Sequence, residues 1–161
     1  MLRTNRKNPA FTLIEILIVV VILAILAAIV IPRFANASKD AKRASLSSQL
    51  NAVRAQIQLY TIEHGDQRPP NLNGNNWTDL TTQSVYNGTN RGPYLPSIPV
   101  NPLNGFTNIV VVVADPTWGD PVAGANIGFV YNSSNGFIYG TTLLGDKVYN
   151  ESNPLDSANE Q

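Results

Sequence analysis

Glu15 is the residue whose chemistry most needs a reason. It is a carboxylate inside residues 11–31, FTLIEILIVVVILAILAAIVI, where Thr12 is the only other polar side chain. A charge at the centre of a membrane-crossing helix costs ~2.5–3.5 kcal/mol on insertion scales, and less near an end. Glu15 lies one turn in, so it reaches the headgroups, stays neutral, or is paired. The span holds no cation, so a pair needs an amine from another chain or a new N-terminus made by cutting nearby. Other chemically capable groups are few. Asp115, Asp120 and Asp146 stand in C-terminal loops, either as oxygen donors of the kind that hold calcium or as solvated turn acids. His64, the single histidine, could serve as a base or complement the dipole at a helix C-terminus. With no cysteine and one histidine, thiol chemistry and any site needing two imidazoles from one chain are excluded. No phosphate-cradling loop, paired-carboxylate motif or nucleophile elbow occurs, so the expectation is a protein without catalysis and without a required cofactor. The 11 basic residues are matched by 11 acidic ones, which argues against nucleic-acid binding.

Elements must hold these groups. About 20 apolar residues in a helix cross the hydrocarbon layer, so residues 11–31 are just long enough to span. Arg3, Arg6 and Lys7 precede the span, while Arg33, Lys39, Lys42 and Arg43 follow it against Asp40 alone. Charge bias therefore allows either orientation; a cytoplasmic N-terminus is preferred because the distal part looks built for another compartment. Beyond Pro32 the apolar residues Leu46, Leu50, Val53, Ile57 and Tyr60 recur at helical spacing, with Arg43, Gln49, Arg54, Gln58 and Glu63 mostly off their stripe. The spacing predicts an amphipathic continuation over 32–64. Gly65 ends it as a left-handed cap, with Pro69-Pro70 behind. One helix over 11–64 would run on the order of 80 Å. Pro32 inside it implies either a bend near residues 28–31 or a helix boundary at the membrane surface.

Residues 65–107 are rich in Asn, Gly and Pro and predict a long ordered loop, whose Trp77, Leu80, Tyr86, Tyr94, Leu95 and Ile98 pack on the helix stripe. Runs at 109–114, 127–131 and 137–141 predict three short antiparallel strands within 108–149, the last two joined by a turn at 132–136. The expected fold class is α+β: a long N-terminal helix packed at its C-terminal end against a small antiparallel sheet with long loops. Residues 150–161 are a polar tail expected to fray. Asn-X-Ser/Thr matches such as those at Asn76, Asn87, Asn132 and Asn150 are what an Asn-rich chain produces by chance.

Arg6-Lys7-Asn8-Pro9-Ala10 followed by Phe11-Thr12-Leu13-Ile14-Glu15, with Pro32 in register, resembles the leader and mature start of the type IV pilin-like family. The likeness is strong over 7–65. It extends more thinly to Gly92-Pro93-Tyr94-Leu95-Pro96 and Asn101-Pro102-Leu103-Asn104-Gly105, which resemble the loop of the major, G-type pseudopilin of type II secretion. The resemblance implies residues 1–10 as a cytoplasmic leader, cut by prepilin peptidase between Ala10 and Phe11, with methylation of the new Phe11 amine. It implies a homopolymer built through the N-terminal helices, where Glu15 pairs with the Phe11 amine of a neighbour and Pro32 marks the stretch that loosens on leaving the bilayer. Other pseudopilins and an inner-membrane assembly platform are the implied partners, and a bacterial inner-membrane protein feeding a periplasmic or surface filament is the implied location.

Two features depart from the family pattern. Ala10 stands where Gly is usual before the cut, and as the smallest alternative it implies slow or normal processing. G-type pseudopilins commonly hold calcium in C-terminal loops, a pattern that residues 144–149, LGDKVY, do not reproduce; Asp115, Asp120 and Asp146 are the donors a calcium ion would use here. The alternatives are a type IV pilus subunit and, in a different class, a secreted or anchored binding domain behind an ordinary signal peptide. In that last reading Ala35-Asn36-Ala37 is the cleavage site and Ser38 the new N-terminus.

Overall fold

The computed structural model describes residues 11–74, 76–124 and 126–152. The leader with Ala10, and the tail from 153, lie outside the described residues. The chain divides into two compact units, Met1–Ser38 and Lys39–Gln161.

The first unit contains the start of α1, which runs Leu13–Glu63. Helical backbone continues through Pro32, so the boundary reading fails. Among the described residues α1 is the one helix long and apolar enough to cross a membrane, and none of those residues covers its apolar window. In lipid that is no defect, because the helix satisfies its own backbone and presents only hydrocarbon.

The second unit is α+β, as expected. Leu46, Leu50, Val53, Ile57 and Tyr60 of α1 are all buried, and they meet Trp77, Leu80, Tyr94, Phe129, Tyr131, Ile138 and Tyr149 in one core. The helix ends in a Schellman arrangement: Gly65 takes φ +64° and the Asp66 amide donates to the Thr61 carbonyl (2.9 Å). A Cβ at Gly65 would also strike the Tyr86 hydroxyl.

The region 65–107 holds more structure than a loop reading allows. A 3₁₀ turn at Asn71–Gly74 and a short α2, Thr78–Thr81, precede a hairpin of β1, Ser84–Tyr86, and β2, Thr89–Arg91. Asn87 and Gly88 at its tip have φ +49° and +77°, the pattern of a two-residue type I′ turn. An Asn-Gly pair is the strongest short-range hairpin signal, and treating Asn87 only as a chance Asn-X-Thr match passed over it. Trp77, Leu80 and Tyr94 pack as expected, whereas Tyr86 is only half-buried and Ile98 is 49% exposed.

The main sheet is β3, Asn108–Val112, β4, Ile127–Asn132, and β5, Phe137–Gly140, in the order β3-β4-β5. The β4–β5 hairpin is antiparallel as expected, with Gly136 at φ +79° closing the turn. The pairing of β3 with β4 is parallel, which corrects the expectation of three antiparallel strands. The intervening 113–126 is long enough for the crossover a parallel pair requires, and strand composition carries no sign of direction. β4 is buried at every residue. One of its faces meets the helix through Phe129 and Tyr131, while Val130 on the other joins Tyr139 and Val148 in a second small cluster.

Two charged side chains read as lying off the stripe are structural. Arg43 is buried and pairs with Asp40 (3.0 Å). Arg54 donates to both oxygens of Glu151 (2.6 and 2.8 Å) and twice to the Ile138 carbonyl (2.6 and 3.0 Å), with its guanidinium 4.2 Å from the Phe137 ring centroid. The start of the predicted fraying tail is therefore anchored at Glu151. Arg54→Ala removes this fork and leaves a partly buried carboxylate unmet, so a loss of about 2–3 kcal/mol is expected in urea unfolding followed by tryptophan fluorescence. A change within the range of an exposed ion pair, below about 1 kcal/mol, would show the clamp to be idle.

Candidate assembly site at the head of the helix

The first turn of a helix leaves amide hydrogens without partners, and Thr12 and Glu15 supply them reciprocally. The Glu15 amide donates to Thr12 Oγ1 (3.3 Å), while the Thr12 amide and hydroxyl donate to Glu15 Oε2 (2.8 and 2.7 Å). This is a capping box, T-x-x-E, with Thr12 as N-cap and Glu15 at the third helical position. The motif is legible in the sequence, and the costly-acid argument alone missed it. The carboxylate also sits at the positive end of the helix dipole. Oε1 has no partner among the described residues. Phe11 is 80% and Leu13 84% exposed, so none of the described residues shields the site.

The arrangement holds an anionic oxygen in place at the apolar head of a helix, with one acceptor oxygen unused. It can receive a cation brought by another molecule. The Phe11 nitrogen of this chain is an amide, so the amine that the resemblance implies does not exist before cutting. Pro32 lies in α1, and Ala10 is outside the described residues.

The three aspartates do not converge. Asp115 Oδ1 accepts from Tyr139 Oη (2.8 Å), Asn135 Nδ2 (2.6 Å) and Asn132 Nδ2 (2.8 Å). Asp120 Oδ2 accepts the Thr117 amide (2.6 Å) and Asp146 Oδ1 the Thr142 hydroxyl (3.1 Å). Among the described residues no group of three His, Cys, Asp or Glu side chains could hold a metal ion. Each aspartate is a turn or loop acceptor.

The three donors, Tyr139 foremost, hold the Asp115 carboxyl below the usual carboxylate range. Tyr139 is pushed up to about 12, chiefly by burial and then by its bond to Asp115. The depressed acid contributes stability above its unfolded value, lost as pH falls through the folded one. The raised phenol contributes stability below the ordinary tyrosine value, lost as pH rises through about 12. Asp115→Asn should move the Tyr139 midpoint, read by phenolate absorbance, downward without returning it to the ordinary value, because burial remains. An unmoved midpoint would remove Asp115 from the explanation.

His64 is not poised as a base. It is buried, stacked on Tyr60 at 3.8 Å between ring centroids, with Nδ1 2.9 Å from the Tyr60 carbonyl oxygen and Nε2 2.8 Å from Ser84 Oγ. The carbonyl only accepts, so Nδ1 carries the hydrogen. The ring fastens β1 to the end of α1.

The two loops of the thinner resemblance also act structurally. The amides of Tyr94 and Leu95 both donate to the Leu80 carbonyl (2.8 and 2.7 Å), and Tyr94 Oη donates to Glu63 (2.7 Å). The fully buried Asn101 donates to the carbonyls of Gly128 (2.9 Å) and Thr141 (3.0 Å). Asn104 donates to Thr141 Oγ1 (2.9 Å) and the Thr142 carbonyl (2.8 Å). These two asparagines tie the 101–105 turn to the sheet.

A long apolar helix that opens on a capping box and continues into a small α+β unit is a pilin-like architecture. Residues 5–31 match the prokaryotic N-terminal methylation motif. Over 60 residues the chain is 39% identical to the type II secretion system core protein G of Pseudomonas aeruginosa, covering 37% of this chain and 42% of that protein. Over 57 residues it is 39% identical to the type IV narrow pilus major component PilA5 of Thermus thermophilus, covering 35% and 49%. Over 63 residues it is 36% identical to the ComG operon protein 3 homolog of Bacillus licheniformis, covering 39% and 65%. The matches thus span less than half the length of the first two relatives. No solved structure matches the chain.

Proposed function

We propose that this chain is the structural subunit of a pseudopilus, anchored in the inner membrane with its N-terminus in the cytoplasm and assembling into a periplasmic filament that drives type II secretion. The observation that carries the reading is the Thr12–Glu15 capping box at the start of an uncovered apolar helix, inside the methylation motif. In the bilayer the box gives the carboxylate a local partner. Cutting between Ala10 and Phe11 then creates an amine, methylated by the same peptidase, and a neighbour's amine becomes available to Glu15. Two unit charges ~4 Å apart attract by about 4 kcal/mol at an effective dielectric of 20. A charged hydrogen bond contributes about 1.5–3 kcal/mol net. The intermolecular pair therefore dominates once helices pack, and a subunit out of register leaves two buried charges unmet.

The likeness to core protein G, the 92–96 and 101–105 loops and the missing cysteines support the pseudopilin reading. A type IV pilus subunit is the second reading, supported by equal identity to PilA5. The two differ in phenotype: deletion abolishes export of folded proteins in the first case and surface filaments in the second. The experiment that tests the shared route is the intact mass and N-terminal sequence of protein recovered from its native membrane. A chain starting at methylated Phe11 is expected. A start at Ser38 would overturn the filament reading in favour of a secreted domain, and an uncut Met1 would leave a plain anchor.

A further inference from the structure

We infer that Asn87 is a site of spontaneous deamidation, with water as the co-reactant, and that the fold selects it from several equivalent sequence pairs. Asn-Gly occurs at 73–74, 87–88, 104–105 and 135–136. Glycine after asparagine offers the least hindered backbone nitrogen, so all four are chemically competent. The reaction needs that nitrogen free to attack and the asparagine side chain free to rotate toward it.

The structure describes the side chains of the last three pairs, and they differ. At Asn104-Gly105 the glycine amide donates to the Asn101 carbonyl (2.7 Å), while the asparagine donates to Thr141 Oγ1 and the Thr142 carbonyl and accepts the Phe106 amide (2.9 Å). At Asn135-Gly136 the glycine amide donates to the Asn132 carbonyl (2.8 Å), while the asparagine donates to Asp115 (2.6 Å) and accepts the Phe137 amide (2.8 Å). Asn87 and Gly88 are both exposed at the tip of the β1–β2 hairpin, and among the described residues neither the Asn87 side chain nor the Gly88 amide has a hydrogen-bond partner. Space around Gly88 is open: beyond its two chain neighbours no atom lies within 4 Å of where a Cβ would stand.

The Gly88 nitrogen loses its proton and attacks Asn87 Cγ. A bond forms between them as the bond from Cγ to the side-chain nitrogen breaks, and ammonia leaves. Water then opens the succinimide at either carbonyl, giving aspartate or isoaspartate at position 87. No oxidant or reductant takes part. The product carries a new negative charge, and isoaspartate lengthens the turn backbone, loosening the hairpin whose Tyr86 covers Gly65.

The test is timed peptide mapping of the full chain in detergent, at neutral and mildly alkaline pH, with fragment ions locating each conversion. Conversion at Asn87 is expected at least about ten-fold faster than at Asn104 or Asn135, whose hydrogen bonds must break first. It should accelerate with pH and yield both acids. In concentrated urea the three rates should converge. Equal rates in the folded chain, or a difference that persists in urea, would overturn the proposal; so would an Asn87→Gln chain that keeps the same conversion signal.

Discussion

Glu15→Ala is expected to leave the protein made, inserted and cut before Phe11, and to abolish filaments. Removing one partner of a buried, hydrogen-bonded charge pair costs about 3–5 kcal/mol, which weakens each subunit addition by more than about a hundredfold. A linear polymer multiplies that deficit at every step. The readout is the sheared or cross-linked filament fraction on an immunoblot, beside the mass of the N-terminus in the membrane fraction. Glu15→Gln separates the two roles of the side chain. Glutamine can complete the capping box, since that position takes either residue, but it offers no charge to a neighbour's amine. If the pair drives register, Glu15→Gln fails as alanine does. Recovery of filaments with glutamine would sink the ionic account and leave a helix cap. Thr12→Ala is the complementary control: it removes an N-cap worth about 1 kcal/mol and should leave assembly largely intact.

The second large effect lies in the folded unit. Gly128→Ala is expected to destabilise it by about 3 kcal/mol, the upper end of ordinary overpacking costs, lowering Tm by roughly 10 °C. A Cβ at Gly128 would fall on the Phe106 carbonyl oxygen, with the carbonyl carbon 2.7 Å away and the Thr107 nitrogen 3.2 Å away. That backbone has little room to yield. Phe106 accepts the Asn101 amide (3.0 Å) and donates to Asn104 Oδ1 (2.9 Å), and the Thr107 carbonyl accepts Trp77 Nε1 (2.8 Å). The Gly128 carbonyl is itself held by the Thr141 amide (3.2 Å) and Asn101 (2.9 Å). Unfolding of the full chain in urea, followed by the fluorescence of Trp77 and Trp118, measures the effect. A loss under about 1 kcal/mol would mean that β4 slides and the 101–107 turn is not the rigid tie described.

How far the site was legible depends on the distance between its parts. Thr12 and Glu15 are three residues apart on one helix, and the acid in an apolar run marks the site even when the capping box goes unread. The partner proposed for it in a filament belongs to another molecule. That Asp115, Asp120 and Asp146 do not converge among the described residues was illegible for a different reason. A carboxylate in a loop has the same signature whether it ligates an ion or accepts hydrogen bonds, and only coordinates show Asp115 holding three donors.

The sequence by itself determined the apolar run, the amphipathic stripe from Leu46 to Tyr60, the cap at Gly65 and the turn at 132–136, because periodicity and positive-φ residues act over a few neighbours. The Asn87-Gly88 hairpin was equally local and available. Tertiary structure alone decided that β3 runs parallel to β4, that Arg54 reaches Glu151 across 97 positions, and that Gly128 must be glycine because another backbone crosses it. It also decided which Asn-Gly pairs have their amides tied down. Strand direction, ion-pair choice and close approach are set by how distant segments share one core, and a residue's type carries no record of which distant segment will arrive beside it.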